Sequence, residues 1–110
     1  MPTRTAVLGA RLAPAGVPFV FATVPAGQTW IAKSAFVNDQ GGLGGQCFVW
    51  VSRSGGIVCI FAYTGDLTTI PFFEWEGWVV AEPGDVFEVY APDTDCVLWL
   101  SGTKLIGVAS

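Results

Sequence analysis

The stretch PFFEWEGWVVAEPGD, residues 71–85, places four large aromatic side chains within seven positions and ends in a Pro-Gly-Asp turn. Each aromatic side chain buries about 150–250 Å², so four of them together either seed a core or form a contact surface. In a strand, successive side chains point to opposite faces. We therefore expect Phe73 and Trp75 to face the core and Glu74 and Glu76 to face outward.

The rest of the chain is apolar but poor in charge. Of its 110 residues, 52% are hydrophobic and only 13% are charged, against about 25% in an average domain. No run approaches the roughly 20 apolar residues of a membrane-spanning helix, so we expect no membrane partner. We therefore expect contacts between subunits to bury the apolar surface, with Phe72 and Trp78 as candidate interface residues. The alternative is a monomer with an unusually apolar surface.

Charge is divided unevenly along the chain, whose formal net charge is −4. Four of the five cations precede residue 54, whereas residues 66–95 contain eight acids and no base. This distribution argues against a nucleic-acid surface, which needs clustered cations. It favours head-to-tail or self-complementary packing between copies of the chain, with Arg4 and Arg11 as further candidate interface residues. Alternatively, the acids only make loop tips soluble.

Short apolar runs recur about every 8–12 residues between Gly- and Pro-rich turns, a spacing typical of an all-β sandwich or barrel. We count about eight short strands, including separate ones at 70–73 and 78–81 and a clear hairpin at 46–63. The sequence therefore predicts an antiparallel β-sandwich, jelly-roll-like, as a single domain over residues 19–110. Residues 1–18, rich in Ala, Gly and Pro, predict an N-terminal arm that docks on a partner.

Catalytic and metal-binding patterns are missing from the sequence. The chain has no histidine, the commonest general base and metal ligand, so we predict no enzyme and no cofactor. Its three cysteines lack Cys-x-x-Cys spacing and are expected to be free, buried thiols of a reducing cytoplasm. A Cys47–Cys59 disulfide is the alternative. Asp93 and Asp95, together with Asp85, form a weak candidate for calcium binding.

Two carboxylates two positions apart, Glu74 and Glu76, lie on one face of a strand, roughly 7 Å apart, which is within the range of a glycosidase pair. Glycosidase carboxylates usually come from different strands around a cleft, which argues against that reading. Trp75 and Trp78 are adjacent to them in sequence and offer a candidate platform for stacking sugars. A carbohydrate-binding module is therefore an alternative to a structural protein.

Three segments together resemble small virion proteins of tailed bacteriophages. They are VPAGQTW at 24–30, WEGWVV at 75–80 running into PGD at 83–85, and LSGT at 100–103. The resemblance spans roughly residues 20–106 and implies a β-sandwich subunit of the virion, assembled in the bacterial cytoplasm. It implies a role in capsid decoration or, alternatively, in the tail tip or fibre, and it supplies no catalytic residues. We expect a homo-oligomer, with a trimer favoured, bound to capsid or tail proteins.

Overall fold

The computed structural model describes residues 3–14, 16–39, 46–64, 72–92 and 95–107, with the side chains of 3–7, 39, 62–64 and 72–73 left outside that description. These residues form eight strands: β1 (Thr3–Ala13), β2 (Phe19–Thr23), β3 (Gln28–Asp39), β4 (Cys47–Arg53), β5 (Gly56–Thr64), β6 (Phe72–Ala81), β7 (Val86–Tyr90) and β8 (Cys96–Ile106). Over the same residues, no helix has the length and apolar character needed to cross a bilayer.

The strands form two antiparallel four-stranded sheets. The first sheet has the order β1-β8-β3-β6 and the second the order β2-β7-β4-β5. Every connection except the β4–β5 hairpin crosses from one sheet to the other, which is the connectivity of a jelly roll. The predicted all-β antiparallel sandwich with about eight strands is therefore confirmed.

The number of strands agrees with the prediction, but two predicted strands are one strand in the structure and one observed strand was not predicted. The predicted strands at 70–73 and 78–81 are a single β6, because Gly77 lies within the strand instead of ending it. A Cβ at Gly77 would come within 2.6 Å of the Trp75 ring, so glycine is needed there for packing. The second difference is the first strand of the chain.

The prediction of an arm is wrong for Thr3–Ala13, which pairs along its length with β8 as an edge of the first sheet. Strand pairing uses backbone N–H and C=O groups, which Ala and Gly supply as well as any other residue. The weak side-chain alternation of this segment therefore did not reveal it. Leu8 and Ala13 are nevertheless buried in the core.

The core lies between the two sheets and is closed by aromatic contacts across the sandwich. Trp75 of β6 packs on Phe61 of β5 with ring centroids 4.8 Å apart, and Trp30 of β3 stacks on Phe87 of β7 at 6.2 Å. The predicted inward position of Trp75 is confirmed. The Phe73 side chain lies outside the described residues, so its predicted inward position stays a prediction.

Turns from distant parts of the chain meet at one end of the sandwich. The turns at 25–28 and 82–85 each place a glycine at positive φ, +79° at Gly27 and +87° at Gly84, as type II turns require. Val24 joins them, because its N–H donates to Asp85 O and its carbonyl accepts from Gly84 N, both at 2.9 Å. Two turns that are far apart in the sequence thus pair with each other.

Asp85 holds this end together, and we call its contacts the Asp85 clasp. Its side chain is only 1% exposed. Arg53 donates from Nε to Oδ1 at 2.7 Å and from Nη2 to Oδ2 at 2.8 Å, while the Glu82 N–H donates to Oδ2 at 2.8 Å. The hydrogen bonds from Arg53 hold the pKa of Asp85 below its ordinary value, although burial opposes them.

Both oxygens of the Asp85 carboxylate accept hydrogen bonds from Arg53, which counts against Asp85 as a calcium ligand. A calcium site that involves Asp93 and Asp95 stays a prediction. Asp93 lies outside the described residues. Among the residues that are described, no group of three acidic, cysteine or histidine side chains is arranged to hold a metal ion.

We predict that Asp85→Asn lowers the free energy of unfolding at pH 7 by about 1–3 kcal/mol, the range for hydrogen bonds to a charged group, with the lower half favoured because Arg53 is half exposed. The folded pKa of Asp85 lies below the unfolded value. The stabilisation is therefore complete above the unfolded pKa of about 3.9 and is lost as pH falls through the folded pKa. Urea unfolding at several pH values measures both effects.

The difference between Asp85→Asn and the unsubstituted chain should shrink as pH falls below about 4, because Asp85 of the unfolded chain then takes up a proton that the folded chain does not yet bind. Glu74→Gln is the matched control, since Glu74 is an exposed carboxylate. A stability difference for Asp85→Asn that stays constant from pH 7 to pH 2.5 would contradict this role of the clasp.

Candidate functional site

A groove of about 250 Å³ lies on the outer face of the first sheet. Its outward side chains come from three adjacent strands, and β3 is the central one. They are Ser34, Phe36, Glu74, Glu76, Trp99 and Ser101. The predicted outward and exposed positions of Glu74 and Glu76 are thereby confirmed.

Strand register arranges these side chains in two rows. In the polar row, Ser34 lies opposite Glu76 on β6 and opposite Ser101 on β8. The hydroxyl oxygens of Ser34 and Ser101 are hydrogen-bonded at 2.5 Å. This hydrogen bond holds the two serine side chains of the polar row in place.

The aromatic row lies two positions further along β3. Phe36 is opposite Glu74 on one side and Trp99 on the other. The Phe36 and Trp99 rings are 5.5 Å apart and inclined at 49°, within the range of favourable aromatic pairs. Each row therefore ends in a carboxylate on the edge strand β6.

Backbone bulges define one end of the groove. β1 is irregular at Leu8 and β3 at Lys33, and both irregularities lie opposite residues 100–102 of β8. On β6, residues 77–78 lie opposite the irregularity of β3 at Lys33. A bulge bends its strand and increases the local twist, so the sheet changes direction beside Ser34.

The groove presents two carboxylate acceptors beside aromatic faces. Aromatic rings attract cations that lie over their faces, and carboxylates bind guanidinium groups through paired hydrogen bonds. Sugars also stack on aromatic rings and hydrogen-bond to carboxylates. The excess of negative charge favours a cationic group over a neutral one.

The structure separates the two predicted sugar-stacking residues. Trp75 points into the sandwich, whereas Trp78 lies on the outer face and is 73% exposed. The two indoles therefore lie on opposite faces of β6, and the prediction of one platform built from Trp75 and Trp78 is wrong. The reason is their odd spacing, since residues three apart in a strand point in opposite directions. On the outer face, Lys33 Nζ lies 5.6 Å from the Trp78 ring centroid.

All four candidate interface residues lie on strands of the first sheet, and the side chains of two of them are described. Trp78 is on the outer face of the first sheet, and Arg11 is exposed on the edge strand β1. Phe72 begins β6 and Arg4 lies in β1, but their side chains are outside the described residues. Contact of any of these residues with a second subunit stays a prediction.

Sequence reasoning missed Ser34, Phe36, Trp99 and Ser101. The alternation in 96–100 does place Trp99 opposite the buried Leu98 and Leu100, so its outward position was readable. What the sequence could not provide was the pairing of β3 with β8, whose facing residues Ser34 and Ser101 are 67 positions apart.

The cysteines are arranged differently from the predicted alternative. Cys47 pairs with Thr64 and Cys59 with Val51, so the Cys47–Cys59 bridge is excluded by register, and none of the three cysteines forms a disulfide. The Cys47 thiol instead meets Cys96 across the sandwich. The hydrogen bond between them, together with burial, raises the pKa of Cys47 far above its ordinary value.

Comparison of the chain with known protein-family models gives no match, and a search of the curated proteins gives no significant match.

We predict that the two neighbouring residues Trp99 and Leu100 respond differently to truncation. Leu100 is fully buried, so Leu100→Ala should cost about 2–5 kcal/mol of unfolding free energy. Trp99 is 43% exposed and its ring contacts Phe36 at the surface, so Trp99→Ala should cost less, because only part of its apolar area is removed from water on folding. Urea unfolding of the two variants measures the difference, and equal losses would contradict the register of β8.

We also predict that Cys59, which is partly exposed, is the first thiol to react with an aromatic disulfide reagent. Cys47 and Cys96 are buried, and a thiol with a raised pKa carries little reactive thiolate. The released chromophore should report one fast thiol in the folded chain and two more after denaturation. Cys59→Ser should remove the fast reaction, and fast labelling of Cys47 or Cys96 in the folded chain would refute the buried pair.

Proposed function

We propose that the protein is a non-enzymatic structural subunit of a tailed-phage virion, which binds the particle as a homo-oligomer. Capsid decoration is the preferred role, and a tail-tip or fibre component is the alternative. The observation that carries the proposal is the exposure of large apolar side chains on both sheets of the sandwich. The assignment to a phage particle rests on the sequence resemblance.

On the first sheet, the exposed apolar side chains are spread across the outer face, from the edge strand β1 to the edge strand β6. They are Leu12, Trp78, Val80 and Trp99. Trp78 is 73% exposed. Its large aromatic side chain is therefore available for burial in an interface.

On the second sheet, the exposed apolar side chains are concentrated near the start of the edge strand β5. Ile57, Val58 and Ile60 are all exposed there, and Val20 is exposed on β2. The pairing of β4 with β5 is irregular between Val51 and Ser52, so Val58 is displaced from the regular alternation and stands beside Ile57 at the surface.

Surface of this kind supports burial between copies. Scattered apolar residues are normal on a monomer, but extended apolar patches on a soluble protein usually mark an interface. With only 13% of its residues charged, the chain has little means of making such patches soluble. Obligate interfaces commonly bury more than about 2,000 Å² and resemble a core cut in half.

Several observations favour a structural role over catalysis. The chain has no histidine, and the two carboxylates of the groove are exposed on an open sheet face instead of being enclosed in a cleft. The carbohydrate-binding alternative has lost the platform on which it was based, because Trp75 and Trp78 lie on opposite faces of β6.

We predict that the purified protein has a mass in solution well above the 11.6 kDa of one chain, with three chains per particle favoured. Multi-angle light scattering at micromolar concentration measures this mass. Substitution of Trp78 and Val80 by serine tests the first sheet, and substitution of Ile57 and Ile60 by serine tests the second. The pair that forms the interface should lower the mass, while the other pair serves as its control.

A stable monomer at micromolar concentration would overturn the homo-oligomer. The identity of the reading frames beside this gene provides a separate test of the virion assignment. Capsid genes beside it would favour decoration, and tail-fibre genes would favour the alternative role. Neighbours of neither kind would contradict the assignment to a phage particle.

A further inference from the structure

Opposite charges lie at the two edges of the first sheet. Arg11 is on the edge strand β1, whereas Glu74 and Glu76 are on the edge strand β6, with β8 and β3 between them. The β1 edge of this sheet thus presents the cation Arg11, and the β6 edge presents two carboxylates. Such a surface is complementary to a second copy of itself.

Arg11 differs from the other described cations in its surroundings. Arg53 binds Asp85, Lys33 lies over Trp78, and Lys104 Nζ lies 4.7 Å from the Trp30 ring centroid. Among the described residues, Arg11 shows no such contact, and its side chain is exposed.

The direction of the Arg11 side chain selects the type of contact. Arg11 is paired with Leu98, which faces the core, so both Cβ atoms point to the inner side of the sheet. Because β1 is the last strand, the long Arg11 side chain leaves the sandwich at its rim. The Arg11 side chain can therefore reach the outer face of another copy only when the β1 edge of one copy contacts the outer face of the other.

The groove has the chemistry that a guanidinium group requires. Glu74 and Glu76 supply carboxylate oxygens, and the Trp99 ring beside Phe36 supplies an aromatic face. Arginine combines paired hydrogen bonds to carboxylates with stacking on aromatic rings, which a lysine ammonium cannot reproduce. Two grooves placed face to face would instead bring four carboxylates together, and like charges across an interface are unfavourable.

We propose that Arg11 of one copy enters the groove of the next copy, where its guanidinium binds Glu74 and Glu76 and stacks on Trp99. This inference rests on the proposed homo-oligomer and identifies the residue that joins its subunits. Because the two contacting surfaces differ, the interface is heterologous, and a heterologous interface closes into a ring when the rotation between copies allows it. A ring of three is consistent with the favoured trimer.

The test is a charge swap, with sedimentation equilibrium as the measure of self-association. Arg11→Glu, and separately Glu74→Arg with Glu76→Arg, should each weaken self-association by about 30-fold or more, since each leaves a charge in the contact without its partner. A chain that combines Arg11→Glu with both groove substitutions restores opposite charges and should regain most of the lost affinity. Glu82→Arg is the control, because it reverses an exposed carboxylate that does not line the groove.

Circular dichroism and thermal unfolding of each variant confirm that it is folded before its association is compared. Association that is unchanged in both reversal variants would overturn the Arg11 contact and leave the homo-oligomer standing. Loss of association that the combined chain does not regain would also overturn it. An unsubstituted chain that is monomeric would overturn the homo-oligomer itself, and the Arg11 contact with it.

Discussion

The buried carboxylate of Asp85 is the interaction on which the arrangement of this sandwich depends. It binds Arg53 at the end of β4 and the Glu82 N–H, while the Asp85 backbone accepts from Val24. Three turns that are far apart in sequence are thereby fixed at one end of the molecule. Since the apolar core is not directional, these polar contacts are what specify how the β4–β5 hairpin sits against the turns before β3 and β7.

Much of the fold was readable from local signals. The positive φ at Ser54 and Gly55 in the β4–β5 turn, +52° and +83°, corresponds to the hairpin predicted from Arg53-Ser54-Gly55-Gly56. The Pro-Gly turns and the short apolar runs of β4, β7 and β8 were equally clear, because each reflects a constraint within a few residues. The absence of helical periodicity was enough to indicate an all-β architecture.

What escaped prediction depends on partners distant in the chain. β1 has a weak pattern of its own and becomes a strand because β8 offers it a backbone edge. Ser34 and Phe36 looked like ordinary strand residues until Ser101 and Trp99 were placed beside them. The contact of Cys47 with Cys96 likewise joins the two sheets, and no spacing rule within one sheet anticipates it. Local chemistry thus predicted the elements, whereas the site arises from their register.

The line of bulges across the first sheet has a consequence for how the groove can change. The bend beside Ser34 is made by the backbone at Leu8, Lys33 and residues 77–78, and Gly102 allows β8 to pass so near Ile31 that a Cβ there would collide with its carbonyl oxygen. The groove is therefore shaped by the main chain and by Ala35 and Trp75 beneath it, whereas its outward side chains lie outside the core cluster. Substitutions among those outward side chains can alter which surface is recognised without endangering folding, so this part of the molecule is free to diversify.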